Sequence, residues 1–503
     1  MIPIDVLYRQ ATDHPDVVAF IWGNDAWSYR RLADDVERAA QGLLARGVRS
    51  GDRVALHMAN RPEMAIAYYA CFRIGAIAAP MNLRFKFAEL RQIFQRLRPA
   101  LYIGEASLYS QVEPIESEVL NLDARFVAGP ISDGHDVQAW WQLISEGGDR
   151  PLPDQPGADE PAVLLTTSGT TGQPKLVVHT AETLSAMIGK STLELNGQQT
   201  AVVATPMVHA SGLFSFLSCI GHAAPMVLLE RFCPDAVLDA IETHRCTWML
   251  GLAFMYHAML ERQRTQPRQA DSLKFCFAGG DVMPTSLQGE FEQEFRIPLR
   301  NIWGATEANG SLTYGLRPGP VCRIAPGAEV RLVDAENRDV PHGEAGELLL
   351  RGPNVTPGYW VGPNLVEDPK HDGWLRTGDL MRRGEADEVW FVGRCKQLIV
   401  RAGSNIAPVE VETALSECNL VRDAAVVGVP DPVLGERVAG LVQLQPGAGV
   451  GALDRVLADV KTRLADYKVP ERLIVVEAVP RNPLGKIDRK LAAAMAADLC
   501  PVV

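Results

Sequence analysis

Ten residues, Thr166-Thr167-Ser168-Gly169-Thr170-Thr171-Gly172-Gln173-Pro174-Lys175, bring together two glycines, a cluster of hydroxyl side chains and a closing lysine. Glycine lets the main chain turn and lets a ligand approach it closely. Successive backbone N–H groups and hydroxyls can surround an anion, and the lysine adds a mobile positive charge. Such a loop suits a polyphosphate. It is not a Walker A loop, because Pro174 stands where the second glycine of GxxxxGK[ST] is required and Leu176 replaces the Mg²⁺-binding hydroxyl. The same composition would also serve an ordinary surface turn, so the elements around it must carry the argument.

An apolar run at 162–165 predicts a short buried strand leading into the loop, after a Pro/Asp/Gly-rich connection at 151–159. From there to about residue 300, strand patterns at 202–205, 226–229, 246–250 and 275–278 alternate with helical patterns near 211–223, 234–244, 253–263 and 284–295. Such alternation predicts a parallel sheet flanked by helices. Ligands of such sheets sit on the loops leaving the carboxyl ends of strands, and 166–175, His209, 278–281 and 303–307 fall on loops of that kind. Upstream, Ser28 predicts a helix cap before an amphipathic run at 30–46, and 62–75 reads as a second helix. After Pro318, short strands at 330–333, 347–350 and 389–392 predict a small β-rich subdomain. Gly393-Arg394-Cys395-Lys396 reads as a junction, and the remainder mixes strands and helices as a separate α+β domain.

A chain of 503 residues is expected to form two or three domains. Its 49 basic and 61 acidic residues give a net charge of −12, which argues against nucleic acid as a general partner. Nine cysteines with no CxxC pair argue against a disulfide framework or zinc site and for thiols in a reducing cytoplasm. No basic region followed by an apolar stretch opens the chain, so no signal peptide is expected. The segment 201–229 lacks Asp, Glu, Lys and Arg, but Pro206, His209, His222 and Pro225 interrupt it, so a strand, a buried helix and a second strand are expected instead of a membrane span.

Seven stretches in order resemble the adenylate-forming enzymes, the family of acyl-CoA synthetases, peptide-synthetase adenylation domains and luciferases. They are TTSGTTGQPK (166–175), PMVHASGL (206–213), FAGGDVMP (277–284), IWGATEANG (302–310), WLRTGDL (374–380), GRCKQLIVRAGSNIAPVEVE (393–412) and PRNPLGKIDRK (480–490). One alone would be weak; seven in order are specific. The resemblance implies an α/β fold with a large N-terminal domain, residues 1–394, of parallel-type α/β sheets plus a small β-barrel subdomain at about 318–394. A smaller mobile α+β domain, 395–503, would follow. It also implies ATP, Mg²⁺ and coenzyme A. A carboxylate is a poor electrophile, and joining it to the α-phosphate of ATP makes AMP the leaving group. That step brings two anions together, so their repulsion must be cancelled by cations and donors in a site of low dielectric. A thiol then takes the acyl group, and proximity makes an acyl-enzyme unnecessary.

The resemblance assigns roles residue by residue. Thr167, Ser168, Gly169, Thr170, Thr171, Gly172 and Lys175 would hold the β,γ-phosphates, Thr306 the α-phosphate, and Glu307 the Mg²⁺. Gly279, Gly280, Asp281, Trp303 and Gly304 would line the adenine pocket, with Asp379 and Arg394 at the ribose. Lys486 would reach the carboxylate and α-phosphate during adenylation. His209 would gate the acyl pocket. Lys396 would be the hinge about which the C-terminal domain alternates, opening a pantetheine channel bordered by Arg401, Ala402 and Gly403.

Three departures from the family pattern stand out: Gln397 replaces the acid usual after the hinge, Ala402 the first glycine of a Gly-Gly pair, and Leu252-Ala253 the usual Val-Pro. The acyl pocket would be lined by Phe214, Leu252, Phe254, Met255, Ala305, Ala308 and Asn309, mostly apolar. Malonate-type ligases carry an arginine where Ala258 aligns here, and a second carboxylate buried without a cation would be costly. The expected acid is therefore an apolar monocarboxylate: fatty, branched, alicyclic or aromatic. Two competing readings are a stand-alone enzyme loading a carrier protein and a catalytically silent nucleotide-binding module. Oligomeric state, including a homodimer, stays open at this level.

Overall fold

The computed structural model describes residues 2–119, 124–131, 137–145, 147–148, 150–167, 174–189, 193–280, 283–363, 365–401, 404–431, 434–482 and 486–498. Ser28 accepts a hydrogen bond from the Arg31 N–H at 3.2 Å and so starts the helix Tyr29–Ala45, whose Leu32, Val36 and Leu43 are buried. The apolar helix Pro62–Ile74 packs beside it and ends at Gly75 in the left-handed region. The alternation downstream also forms as expected. Strands Ala201–Val203, Met226–Leu228, Trp248–Gly251, Phe275–Ala278 and Leu299–Asn301 pair in parallel, completed by Val18–Trp22 and Asp25–Ser28 into a seven-stranded sheet. The charge-free segment is the strand Ala201–Val203, the buried helix Ala210–Gly221 and the strand Met226–Leu228. Among the described residues no helix is long and apolar enough to cross a membrane.

A nine-stranded sheet carries the glycine-rich stretch. Here one expectation changes: strand Pro161–Thr167 is followed not by a parallel crossover but by its antiparallel partner Lys175–Thr180. Only seven residues separate Thr167 from Lys175, too few for the dozen or more that a parallel crossover needs. The largest apolar core lies between these two sheets, with Tyr68, Tyr69, Phe72 and Phe216 among the helical residues that fill it.

From Leu312 the chain forms a six-stranded antiparallel sheet that includes Ala345–Arg351, Leu375–Arg383 and Glu388–Arg394. Within that span Tyr359–Gly362 leaves to pair with the Lys175–Thr180 strand. Thr356 Oγ1 fixes this excursion by donating to Val178 O at 2.6 Å. The last sheet is built on the long antiparallel pair Val421–Asp431 and Gly435–Leu444, covered by helices Pro408–Ser416 and Arg489–Asp498.

Candidate active site

Thr306 and Glu307 form the tip of a tight turn. Ala305 and Ala308 exchange N–H···O bonds of 3.2 and 3.1 Å below them, and both tip carbonyls have donors of their own. Thr356 N–H donates to Glu307 O at 2.8 Å, and His179 Nε2 donates to Thr306 O at 2.8 Å. Since a carbonyl only accepts, this bond fixes the His179 tautomer with its proton on Nε2. Burial pushes the His179 pKa down to about 4, so the ring is neutral near pH 7.

The strand Lys175–Thr180 turns alternate side chains to opposite faces. Leu176 and Val178 enter a core of the nine-stranded sheet, which leaves Lys175, Val177 and His179 on the other face. Lys175 Nζ sits 4.1 Å from the centroid of the Tyr359 ring, and Tyr359 Oη donates to Glu307 Oε1 at 3.0 Å. Tyr359 thus stands between the loop lysine and the turn carboxylate. The residues Ser168, Gly169, Thr170, Thr171, Gly172, Asp281, Ala402 and Gly403 lie outside the described residues.

Asp379 is 3% exposed in its strand, and two side chains meet its carboxylate. The Trp303 indole N–H donates to Oδ2 at 2.9 Å, and Arg394 Nε pairs with Oδ1 at 2.9 Å. That ion pair lacks hydrogen-bond angles, so Oδ1 has no donor among the described residues. Burial raises the Asp379 pKa, opposed by Arg394, the Trp303 bond and the charge of Lys486. Nearby, Gly280 holds a φ of +82°, open to glycine with little strain, and the Gly279 N–H donates to Gly251 O at 3.1 Å. Gly304 is exposed just before the Ala305–Ala308 turn.

Lys486 belongs to the last sheet's unit, yet its charge bears on Asp379 and on His209 alike. Its backbone is held by Asn482, whose N–H donates to Lys486 O at 2.7 Å and whose Oδ1 accepts from Lys486 N–H at 3.1 Å. His209 occupies the N-cap of the helix Ala210–Gly221, which can start so abruptly because a Cβ on Gly212 would lie 2.2 Å from Pro206 O. Burial, then the charges of Arg84 and Lys486, push the His209 pKa down to about 4. Lys396 is exposed in the short turn Cys395–Gln397 that joins the two parts, and Arg401 pairs with Glu471 at 2.7 Å.

Below the turn lies a cavity of about 280 Å³, counting its open mouth. Leu165, His179, Leu184, Met187, Ile188, Ala210, Leu213, Phe214, Leu217 and Asn309 line it, with no Asp, Glu, Lys or Arg among the described residues. Of the expected pocket residues, Phe214 and Asn309 are here and the others are not. Phe254 is 39% exposed and packs edge-on against Phe232, and Met255 is buried in the core around Tyr256. Leu252 faces Gly280, while Ala305 and Ala308 pack into the core of the six-stranded sheet. The helix after 252 directs its apolar face inward to its own sheet, which the strand–helix pattern could not reveal. His179, Tyr359 and the helix Ala181–Gly189 escaped the motif reading, although the K-x-V-x-H alternation marks His179 as sharing a face with Lys175.

Residues 7–360 match the family described as AMP-binding enzyme, and residues 410–486 match the AMP-binding enzyme C-terminal domain. The medium-chain fatty-acid–CoA ligase of Escherichia coli K12 is 31% identical over 97% of this chain and 89% of its own length. The indoleacetate–CoA ligase of Aromatoleum aromaticum is 31% identical over 95% of both chains. Among solved structures, ATP-bound MatB from Rhodopseudomonas palustris superimposes with a TM-score of 0.87 at 25% identity, over 99% of this chain and 100% of its own.

Proposed function

The chain belongs to the AMP-binding enzyme family, and we propose that it is an ATP-dependent, AMP-forming acyl-CoA ligase acting on an apolar monocarboxylic acid. The observation that supports this reading is the buried Asp379 carboxylate, held by the Trp303 indole at 2.9 Å and paired with Arg394, with one oxygen lacking a hydrogen-bond donor among the described residues. Lys486 would deliver the cation that the meeting of a carboxylate and a phosphate requires.

In the first half-reaction a carboxylate oxygen bonds to the α-phosphorus, the bond to the β-phosphate bridge breaks, and pyrophosphate leaves. Lys486 balances charge on the carboxylate and α-phosphate, while Thr306 hydrogen-bonds the α-phosphate. Lys175 follows the β,γ-phosphates, together with Thr167, Ser168, Gly169, Thr170, Thr171 and Gly172. Asp379, with an acceptor oxygen lacking a donor, takes the ribose hydroxyls beside Arg394. The nucleotide base lies along Gly279–Asp281 and Trp303–Gly304.

Mg²⁺ fits the donor set. The site offers Glu307 as a hard carboxylate ligand, with Asp379 assigned to the ribose, and no cluster of three or more His, Cys, Asp or Glu that could hold a metal exists among the described residues. That is the pattern of an ion bound mainly by substrate phosphates. When bound, Mg²⁺ would offset charge on the leaving pyrophosphate. In the second half-reaction the thiol sulfur of CoA bonds to the acyl carbon, AMP leaves, and the thiol proton passes to solvent. His209, neutral near pH 7, would gate the acyl pocket without adding a repelling charge. Lys396 is the hinge between the parts 1–394 and 395–503, and Arg401, Ala402 and Gly403 border the thiol channel.

The acid's tail occupies the apolar cavity under Asn309 and Phe214. The cavity is nearly closed as it stands, so its lining side chains would move apart to admit a tail, and its apolar lining is what suits an apolar acid. The eight described cysteines are free thiols, in keeping with the cytoplasm as the place of action. A homodimer is testable by sedimentation. The deciding experiment measures AMP release from ATP and Mg²⁺, with and without CoA, across butyrate, octanoate, benzoate, cyclohexanecarboxylate and malonate. CoA-dependent release with an apolar acid is expected. Pyrophosphate exchange without CoA turnover would instead assign a carrier-protein acceptor, and malonate as best substrate would sink the pocket assignment.

A further inference from the structure

His179 belongs to two structures at once. Its ring is part of the cavity wall beside Leu184, Met187, Leu213 and Phe214, and its Nε2–H holds the Thr306 carbonyl at 2.8 Å. On its other side Nδ1 faces Thr183 Oγ1 at 3.3 Å. Thr183 lies on the helix Ala181–Gly189, which also gives Leu184, Met187 and Ile188 to the cavity. Whatever fills the cavity therefore touches both the ring and the helix that orients it, while the ring holds the turn carrying Thr306 and Glu307.

We propose that His179 is a positioning residue that couples filling of the tail cavity to the placement of Thr306, so that an apolar tail raises the rate of adenylation and not only the affinity for the acid. The proposal rests on the acyl-CoA ligase reading above. Remote binding energy can be expressed at the reacting centre, in which case shortened substrates lose kcat as well as KM. Displacement of a positioning contact by about 1 Å can cost about 100-fold. The path here is short and rigid: tail, imidazole, carbonyl, turn. The fully buried ring stays neutral, so its single N–H keeps pointing at Thr306 across the neutral range. Packing alone would not require a polar ring in this wall, since its neighbours are nearly all aliphatic or aromatic.

The test is acid-dependent ATP–pyrophosphate exchange, which reads adenylation without CoA, across straight-chain acids from acetate to decanoate. It compares the wild type with His179→Leu, His179→Gln and Thr183→Val. In the wild type, kcat is expected to climb about 10-fold as the tail lengthens to fill the cavity. In His179→Leu, kcat should drop about 10-fold and lose its dependence on tail length, while KM still improves with longer tails. His179→Gln restores an N–H toward Thr306 and should recover rate on short acids without restoring the tail dependence. Thr183→Val should weaken the dependence in the same direction. A purely structural role would lower the melting temperature and leave this split between kcat and KM unmoved. The proposal is overturned if the wild-type kcat is flat across the series, or if folded His179→Leu keeps the tail dependence. Should that variant not fold, an undiminished dependence in both His179→Gln and Thr183→Val overturns it equally. Failure of the ligase reading looks different: the wild type would exchange no pyrophosphate with any acid, and both readings would go together.

Discussion

The indole N–H of Trp303 donates to Oδ2 of Asp379 across 2.9 Å, joining the loop after strand Leu299–Asn301 to strand Leu375–Arg383. The bond gives Trp303 a task beyond offering a ring face to a base, because it fixes the rotamer of a carboxylate whose other oxygen has no donor.

Trp303→Phe keeps an aromatic ring but removes that donor. A hydrogen bond to a charged group contributes about 1.5–3 kcal/mol, so KM for ATP should rise about 10-fold or more. Initial rates against ATP at saturating acid measure it. An unchanged KM would remove Asp379 orientation as the role of Trp303.

Lys486→Ala should separate the two half-reactions. Its charge reaches Asp379 and His209 in this arrangement, where the acid and α-phosphate would meet. Loss of one preorganised charged donor costs about 100-fold or more in rate, and only where charge develops. Pyrophosphate exchange should fall by that factor. Conversion of preformed acyl-AMP and CoA to thioester should stay within about threefold, because a different arrangement of the domains would serve that step. Equal losses in both half-reactions would contradict this division of labour.

Tyr359→Phe removes the hydroxyl that donates to Glu307 Oε1 while leaving the ring under Lys175. Glu307 then loses a constraint on its carboxylate. Groups that orient a metal ligand typically matter by about 10-fold or more in metal affinity. A titration of activity against Mg²⁺ at fixed ATP should shift its midpoint upward, with little change in KM for the acid. The same midpoint in both proteins would leave Tyr359 with packing alone.

The segments proposed for the site were legible in the sequence because they carry short, ordered motifs: Thr306 and Glu307 sit on a turn after a strand, and Asp379 within the strand Leu375–Arg383. Three things were not legible. The antiparallel pairing of Pro161–Thr167 with Lys175–Thr180 depends on the chain length between the strands, where the alternation suggested a parallel sheet. The helix after Leu252 turns Met255 into its own core and leaves Phe254 exposed, since its facing is set by tertiary packing. Tyr359 comes from a segment about 180 residues beyond Lys175 that leaves one sheet to join another, and no local pattern announces that excursion.

Acid should destabilise the fold through its buried imidazoles. Burial pushes His57 and His179 from 6.5 to about 4, and burial with Arg84 and Lys486 does the same to His209. His57 faces Tyr102 and Glu105, and His179 faces Thr183 and Thr306. Between those values the unfolded chain binds a proton at each ring and the folded chain does not. Stability is therefore fully present above about 6.5 and is lost as pH falls toward 4. Melting temperature should decline over that window. His57→Asn, which keeps a polar group opposite Tyr102 Oη, should make the decline shallower by up to one proton. An identical slope would show that His57 already titrates normally in the folded protein.

Arg422 and Glu261 pair between strand Val421–Asp431 and helix Ala253–Thr265, on opposite sides of the hinge, with His257 Nε2 also 3.4 Å from Glu261. The partners are 38% and 52% exposed, so the contact contributes only about 0–1 kcal/mol, or up to about fivefold in an equilibrium. That is too little to hold a domain, but enough to bias one that alternates. Because the pair forms in the same arrangement that brings Lys486 to the site, Arg422→Glu should slow pyrophosphate exchange by about two- to fivefold and leave thioester formation from acyl-AMP unchanged. Combining it with Glu261→Arg should restore the rate, since the reversed pair can form again. Salt near 1 M should shrink the difference between wild type and Arg422→Glu, because charges on an exposed surface are screened over about 3 Å there. A double variant no faster than Arg422→Glu would show that Arg422 acts through some other contact.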